Sequence, residues 1–457
     1  MPNLAAPLSE IREPSASHLF YQAHGRRPRI ARAEGIYAWD ISGKRYIDAS
    51  SGPIVSNIGH SNPRVLAAMK LQMDRATFAY RLHFENDAAE ELASLTASLM
   101  PDGLDRIFFT SGGSESVETC LKLARQYAIA IGEPERYKIV SMTPSYHGAT
   151  LGCVAVTGME LFVEPFRAMI REMPKISAPT YYLDRDGLSQ EERGLRYAEE
   201  LRDKIIAEGP ESVLAFIMEP IGGASTGALV APDGWYARIQ QICREFGVLL
   251  IADEVMTGAG RTGRFLGIEH WQLDADIIGM AKGFAAGYAP LGAVAARGSI
   301  VDAVMADGGF AHGYTYAGNP LACSAGNAVL KEVLANGLID NAAARGLYLK
   351  SRLGELMERF PFIGDVRGKG LLLAFEFVAD RETMEPLPVE LNAYLELVEE
   401  AYRRGLIIYA RRTRGGFRGD HFMVCPPLIV TNEEIDEIME ILVASIEAFA
   451  AAKGLER

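Results

Sequence analysis

The run Val248–Val255, VLLIADEV, constrains the fold more than any other stretch of the chain. It is apolar on successive residues, so a strand made from it must bury both faces, as parallel strands covered by helices do. The run ends in Asp253 and Glu254, and ligands of such sheets lie beyond the carboxyl ends of the strands. A single aspartate there also serves as a helix cap or turn residue. A second apolar strand candidate, Ile277 to Met280, delivers Lys282 into a loop holding Gly283, Gly287 and Gly292. An ammonium at the end of a buried run loses its hydration. Desolvation lowers its pKa, and the neutral amine can then attack a carbonyl to form a Schiff base. A lysine snorkelling off a strand end is the plainer alternative.

Other segments supply partners for that chemistry. Arg106 to Thr110 reads as a strand, Ser111-Gly112-Gly113 as a tight turn and Ser114 onward as a helix. Such a helix start offers N–H groups and a favourable dipole to a phosphate, although many similar turns bind nothing. The strand pattern YKIVSMT precedes Tyr146, which offers a large rigid face. VLAFIM is a buried strand ending at Glu219-Pro220.

Taken together, these residues resemble the fold-type I pyridoxal phosphate enzymes, and more narrowly the class III aminotransferases of the omega-transaminase group. The resemblance covers nearly the whole chain. It implies an α/β fold: a large domain with a mainly parallel, seven-stranded type of sheet covered by helices, and a smaller α+β domain formed by both termini. The expected division is 1–60 and 321–457 for the small domain and 61–320 for the large one. The cofactor implied is pyridoxal 5′-phosphate, with Lys282 as Schiff-base lysine and proton carrier and Asp253 paired with the pyridinium nitrogen. Gly113 and Ser114 are carried over as phosphate contacts, Tyr146 as the residue stacked on the ring, and Glu219 and Val255 as further cofactor contacts. Gly112 stands where the family usually has a serine. Thr315 corresponds to a threonine that reaches the phosphate of the neighbouring subunit's cofactor, which implies a homodimer or a dimer of dimers.

On the substrate side the resemblance points to Ile54, where relatives often carry a bulky aromatic, to Phe84, and to an arginine in ARRTRGGFRGDHF. That run is otherwise a solvated loop. Of Arg411, Arg412, Arg414 and Arg418, Arg414 is favoured as the mobile carboxylate binder, because Gly415 and Gly416 follow it. Ala224 occupies the position of a glutamate found in many relatives that use 2-oxoglutarate, so pyruvate is the expected acceptor and an amine or omega-amino acid the donor. A 2-oxoglutarate-using relative, and a pyridoxal phosphate isomerase, aminomutase or decarboxylase on the same fold, are the competing readings. A non-catalytic binding protein is disfavoured by Lys282 and Asp253 occurring together.

The formal charge of −13 over 457 residues argues against a nucleic-acid surface. No apolar run is long enough to span a bilayer, and the opening residues lack a basic-then-apolar export pattern, so a cytoplasmic enzyme is expected. The five cysteines are far apart and suggest neither a disulfide framework nor a zinc site. TGAGRTGRFLG, with Arg261, reads as a flexible loop that in the family helps build the dimer and the site wall. Thr431 and Glu434 predict a capping box for the last helix.

Overall fold

The computed structural model describes residues 18–20 and 27–455; the opening stretch 1–17 lies outside them. Seven strands form the large sheet: β1 (Arg106–Thr110), β2 (Lys138–Thr143), β3 (Lys175–Ser177), β4 (Val213–Met218), β5 (Leu249–Asp253), β6 (Ile277–Met280) and β7 (Gly292–Ala296). Their order is β1-β7-β6-β5-β4-β2-β3. β7 runs antiparallel to both neighbours, and the remaining pairs are parallel. The fully apolar strands follow from burial on both faces. Phe216 and Met218 join one core cluster while Ala215 and Ile217 join another, and Leu250 and Ile251 divide likewise. Each large apolar side chain so buried contributes roughly 1.5–3 kcal/mol.

Several helices start at side-chain caps. Asn62 accepts from the N–H groups of Arg64 and Val65 at the head of Pro63–Arg75, and Asn86 accepts from Ala89 N–H ahead of Asp87–Ala97. Thr431 and Glu434 do form the capping box of Asn432–Lys453, a feature worth about 1 kcal/mol. The N- and C-terminal parts of the chain share a sheet, in which Leu406–Ile407 lies parallel to Arg45–Asp48. A third sheet runs Ile363–Lys369, Leu372–Asp380, Arg418–Val424 and Tyr409–Arg414, with Glu385–Pro386 paired to the second of these. VRGKGLLLAFEFV therefore holds two strands, because Gly370 at φ +55 turns the chain between them. The helix Pro320–Ala335 packs on two cores: Cys323 and Leu330 enter that of the large sheet, Val329 and Val333 that of the other sheets.

Candidate active site

Five strands of the large sheet deliver residues to one cavity of about 720 Å³, each at or just past its carboxyl end. Asp253, the last residue of β5, is 5% exposed. Its Oδ2 lies 2.8 Å from His147 Nδ1, and its Oδ1 accepts from Val255 N–H at 3.1 Å. His147 is buried, and its Nε2 has no hydrogen-bond partner. The imidazole and the backbone N–H thus fix the carboxylate from two sides.

Lys282 follows β6 after Ala281 and lines the same cavity. Its backbone is left-handed, φ +48, a conformation costing a non-glycine residue about 1–2 kcal/mol. Strain of this kind is held where the surroundings over-determine it, commonly at functional sites. Gly283 beside it is required by packing, since a Cβ there would stand 2.2 Å from Asn57 Nδ2. Burial pushes the Lys282 ammonium below the ordinary lysine range, against the opposing pull of Asp253 and Glu219. The neutral amine is thereby made more available as nucleophile and base.

The helix Gly113–Ala130 begins at the rim of the cavity. A Cβ on Gly113 would lie 2.8 Å from Val255 Cγ1, which accounts for the glycine. Ser114 Oγ accepts from Ala149 N–H at 3.0 Å, leaving its own proton to donate. Tyr146 meets Phe162 edge-on at 5.5 Å between ring centroids. Its backbone N–H reaches Glu219 Oε2 at 3.2 Å, and Gly223 N–H reaches Oε1 at 2.9 Å. Burial pushes the Glu219 carboxyl above its usual range.

Of the expected substrate residues, Ile54 lines the cavity, whereas Phe84 and Arg414 do not. Phe84 is 71% exposed. Arg414 donates from Nη2 to the Met384 carbonyl at 2.7 Å, and Arg411 is the arginine in the wall. The stretch is not a loop. It is a hairpin of Tyr409–Arg414 and Arg418–Val424, so alternate residues point to opposite faces. Arg412 pairs with Asp420 at 2.9 Å, and Arg418 with Glu385 at 2.5 Å. Thr315, among the expected cofactor contacts, lines a separate cavity of about 800 Å³ with Tyr80, Arg81 and Leu82. His147, Tyr409, Met159 and Phe162 were not singled out by the sequence. Period-two alternation before Arg411 was the available signal for Tyr409, and adjacency to Tyr146 the only one for His147.

Residues 21–446 match the family described as aminotransferase class-III. The chain belongs to the class-III aminotransferases. It is 38% identical over 424 residues to an uncharacterized aminotransferase, YodT, of Bacillus subtilis, covering 92% of this chain and 95% of that protein. A putrescine–pyruvate aminotransferase of Pseudomonas aeruginosa is 33% identical, covering 93% and 91% of the two chains. The crystal structure of an omega transaminase from Pseudomonas jessenii in complex with PMP superposes with a TM-score of 0.89 at 31% identity, covering 98% of each chain. The fold is that of the fold-type I enzymes, and the cofactor of this aminotransferase is pyridoxal 5′-phosphate. The site suits that group: an amine, a clamped carboxylate and a helix N-terminus meet in one cavity.

Proposed function

We propose that this aminotransferase takes the amino group of an amine or omega-amino acid and passes it to pyruvate by a ping-pong mechanism, with Arg411 receiving the acceptor's carboxylate. The observation carrying this reading is the state of Arg411. Its guanidinium lies over the Tyr409 ring, 4.6 Å from the centroid, and donates to the Ala410 carbonyl at 3.2 Å. Among the described residues no acid pairs with it, so a carboxylate entering the cavity meets a free fork-shaped donor. Arg411 is also the only arginine among the described residues lining the cavity, and Ala224 in the wall carries no acid to switch a second one. The second carboxylate of 2-oxoglutarate therefore has no arranged partner. The name of the Pseudomonas aeruginosa relative supports pyruvate.

Pyridoxal 5′-phosphate, when bound, supplies the carbonyl that takes the amine and the ring that withdraws electrons. The protein supplies the rest. Lys282 carries a proton to and from the substrate carbon. With the cofactor bound, Asp253, clamped by His147, would pair with the ring nitrogen and favour its protonated form, Gly113 and Ser114 would hold the phosphate, and Tyr146 would offer its face to the ring. Glu219 and Val255 complete the cofactor's surroundings. Ile54, Met159 and Phe162 exclude water from the reacting groups.

Arg411→Ala is expected to lower kcat/KM for pyruvate by about ten- to a hundredfold, the size of one lost charge-assisted contact. A carboxylate-free aldehyde should be spared, and Arg414→Ala should change both by little. Equal losses for the two acceptors, or a larger loss from Arg414→Ala, would reject Arg411 as the receptor. A clear preference for 2-oxoglutarate would reject the choice of pyruvate.

The proposal extends to assembly. Leu82, Phe84, Met305 and Tyr316 are 81%, 71%, 59% and 64% exposed, which supports a surface that a second copy covers. A second copy covering this face would bring Thr315 to the partner's phosphate, giving a symmetric dimer or a dimer of dimers. Sedimentation across a dilution series should show loss of cofactor with dissociation; a fully loaded, fully active monomer would contradict this. A cytoplasmic location is part of the same proposal; no helix among the described residues is long and apolar enough to cross a membrane. The division into 61–320 and the paired ends 1–60 and 321–457 belongs to the same proposal.

A further inference from the structure

Arg261 is 0% exposed and lies in the glycine-rich loop after Asp253. Among the described residues it has no acid partner, and its two terminal nitrogens are spent on four oxygens from three separate parts of the chain. Nη1 donates to the carbonyls of Leu371 at 3.1 Å and Pro426 at 2.6 Å. Nη2 donates to Ser51 Oγ at 3.2 Å and Asn57 Oδ1 at 2.8 Å. A buried cation without a carboxylate is costly, so the site is built around it rather than merely tolerating it. Ser51 and Asn57 are the two ends of the turn that puts Ile54 into the cavity wall. That turn is strained, with φ +52 at Ser51 and φ +59 at the β-branched Ile54. Asn57 in turn lies against Gly283, next to Lys282, where a Cβ could not fit.

We infer that Arg261 is a positioning residue for substrate selectivity: it clamps both ends of the Ser51–Asn57 turn and holds the left-handed Ile54 in the wall of the cavity that Lys282 also lines. Without the fork, the turn relaxes toward ordinary backbone and the wall loses its shape, while the cofactor side, carried by the large sheet, stays in place. The cavity's use by substrate is taken from the function proposed above.

The test compares wild type, Arg261→Lys and Ser51→Ala, the last removing one arm of the clamp in case the lysine variant does not fold. Hydrogen exchange of the cofactor-loaded proteins reads the turn directly. Amides 54–57 should exchange about tenfold faster in the variants while those of β5 stay unchanged, as for a local opening. In cofactor-loaded enzyme, the half-reaction is followed at the cofactor's absorbance with 1-phenylethylamine and with isopropylamine, no acceptor being present. The ratio of kcat/KM for the two amines should shift about tenfold in Arg261→Lys, the loss of one to two hydrogen bonds to a charged group. In an Ile54→Gly background the same substitution should leave the ratio unchanged, since coupled residues are non-additive. Unchanged exchange at 54–57, or a ratio shift that persists without the Ile54 side chain, would overturn the clamp. A wild type that transfers amine to 2-oxoglutarate but not pyruvate would overturn the acceptor reading alone.

Discussion

Lys282→Ala is expected to abolish turnover and the visible absorbance that marks cofactor linked to the enzyme, while the protein remains folded. Two functions disappear together. The amine is the sole lysine among the described residues lining the cavity, and general acid–base catalysis by a positioned group alone is worth about 10²–10⁴-fold. Lys282→Arg should fail as well, because a guanidinium keeps the charge but neither attacks a carbonyl nor gives up its proton near neutral pH. Stability should change little. The side chain opens to the cavity, and alanine meets the same left-handed backbone, φ +48, that lysine already tolerates. Transfer from 1-phenylethylamine to pyruvate and the absorbance of the purified variant are the two measurements. Turnover near the wild-type rate would remove Lys282 from the centre of the chemistry.

The cofactor half of the site was legible in the sequence because its residues stand at the ends of apolar strands. Val248–Asp253 and Ile277–Met280 announce buried strands, and whatever follows such a strand in a parallel sheet faces the ligand. Asp253 and Lys282 stand out in that way, the resemblance to class III enzymes adds Gly113, Ser114, Tyr146, Glu219 and Val255, and all seven line the one cavity. Of the substrate half only Ile54 was legible, and the reason is geometric. ARRTRGGFRGDHF is rich in arginine and glycine, which reads as a solvated loop, yet Tyr409–Arg414 and Arg418–Val424 pair as strands. Alternation then decides which arginine enters the cavity, and a polar hairpin carries little hydrophobic period from which to read it. Arg261 was hidden differently. Its glycine neighbours suggest freedom, but a Cβ on Gly263 would lie 2.9 Å from Ala343 Cα, so the glycine there permits close packing. Thr315 and Phe84 lie outside the cavity of a single chain, and no local pattern states what a second copy would add.

Asp253→Asn is the second substitution with a large expected effect. Asparagine keeps the shape and can still accept from Val255 N–H through its carbonyl oxygen. It removes the negative charge facing the cavity and alters the contact with His147 Nδ1, now 2.8 Å. A hydrogen bond to a charged group is worth about 1.5–3 kcal/mol, or roughly ten- to a hundredfold in cofactor retention. The rate of proton abstraction should fall further, because a ring nitrogen without a carboxylate partner no longer stays protonated and withdraws electrons less strongly. The expected result is therefore a split. Cofactor is still bound when supplied in excess, but the single-turnover rate with a donor amine drops by at least about 10²-fold. His147→Phe should move the same rate in the same direction by less, since it leaves the charge and removes one of the two contacts that aim it. Loss of cofactor binding with an unchanged single-turnover rate on reloading would mean that Asp253 anchors the ring without tuning it. A His147→Phe enzyme slower than Asp253→Asn would place the decisive group on the imidazole instead.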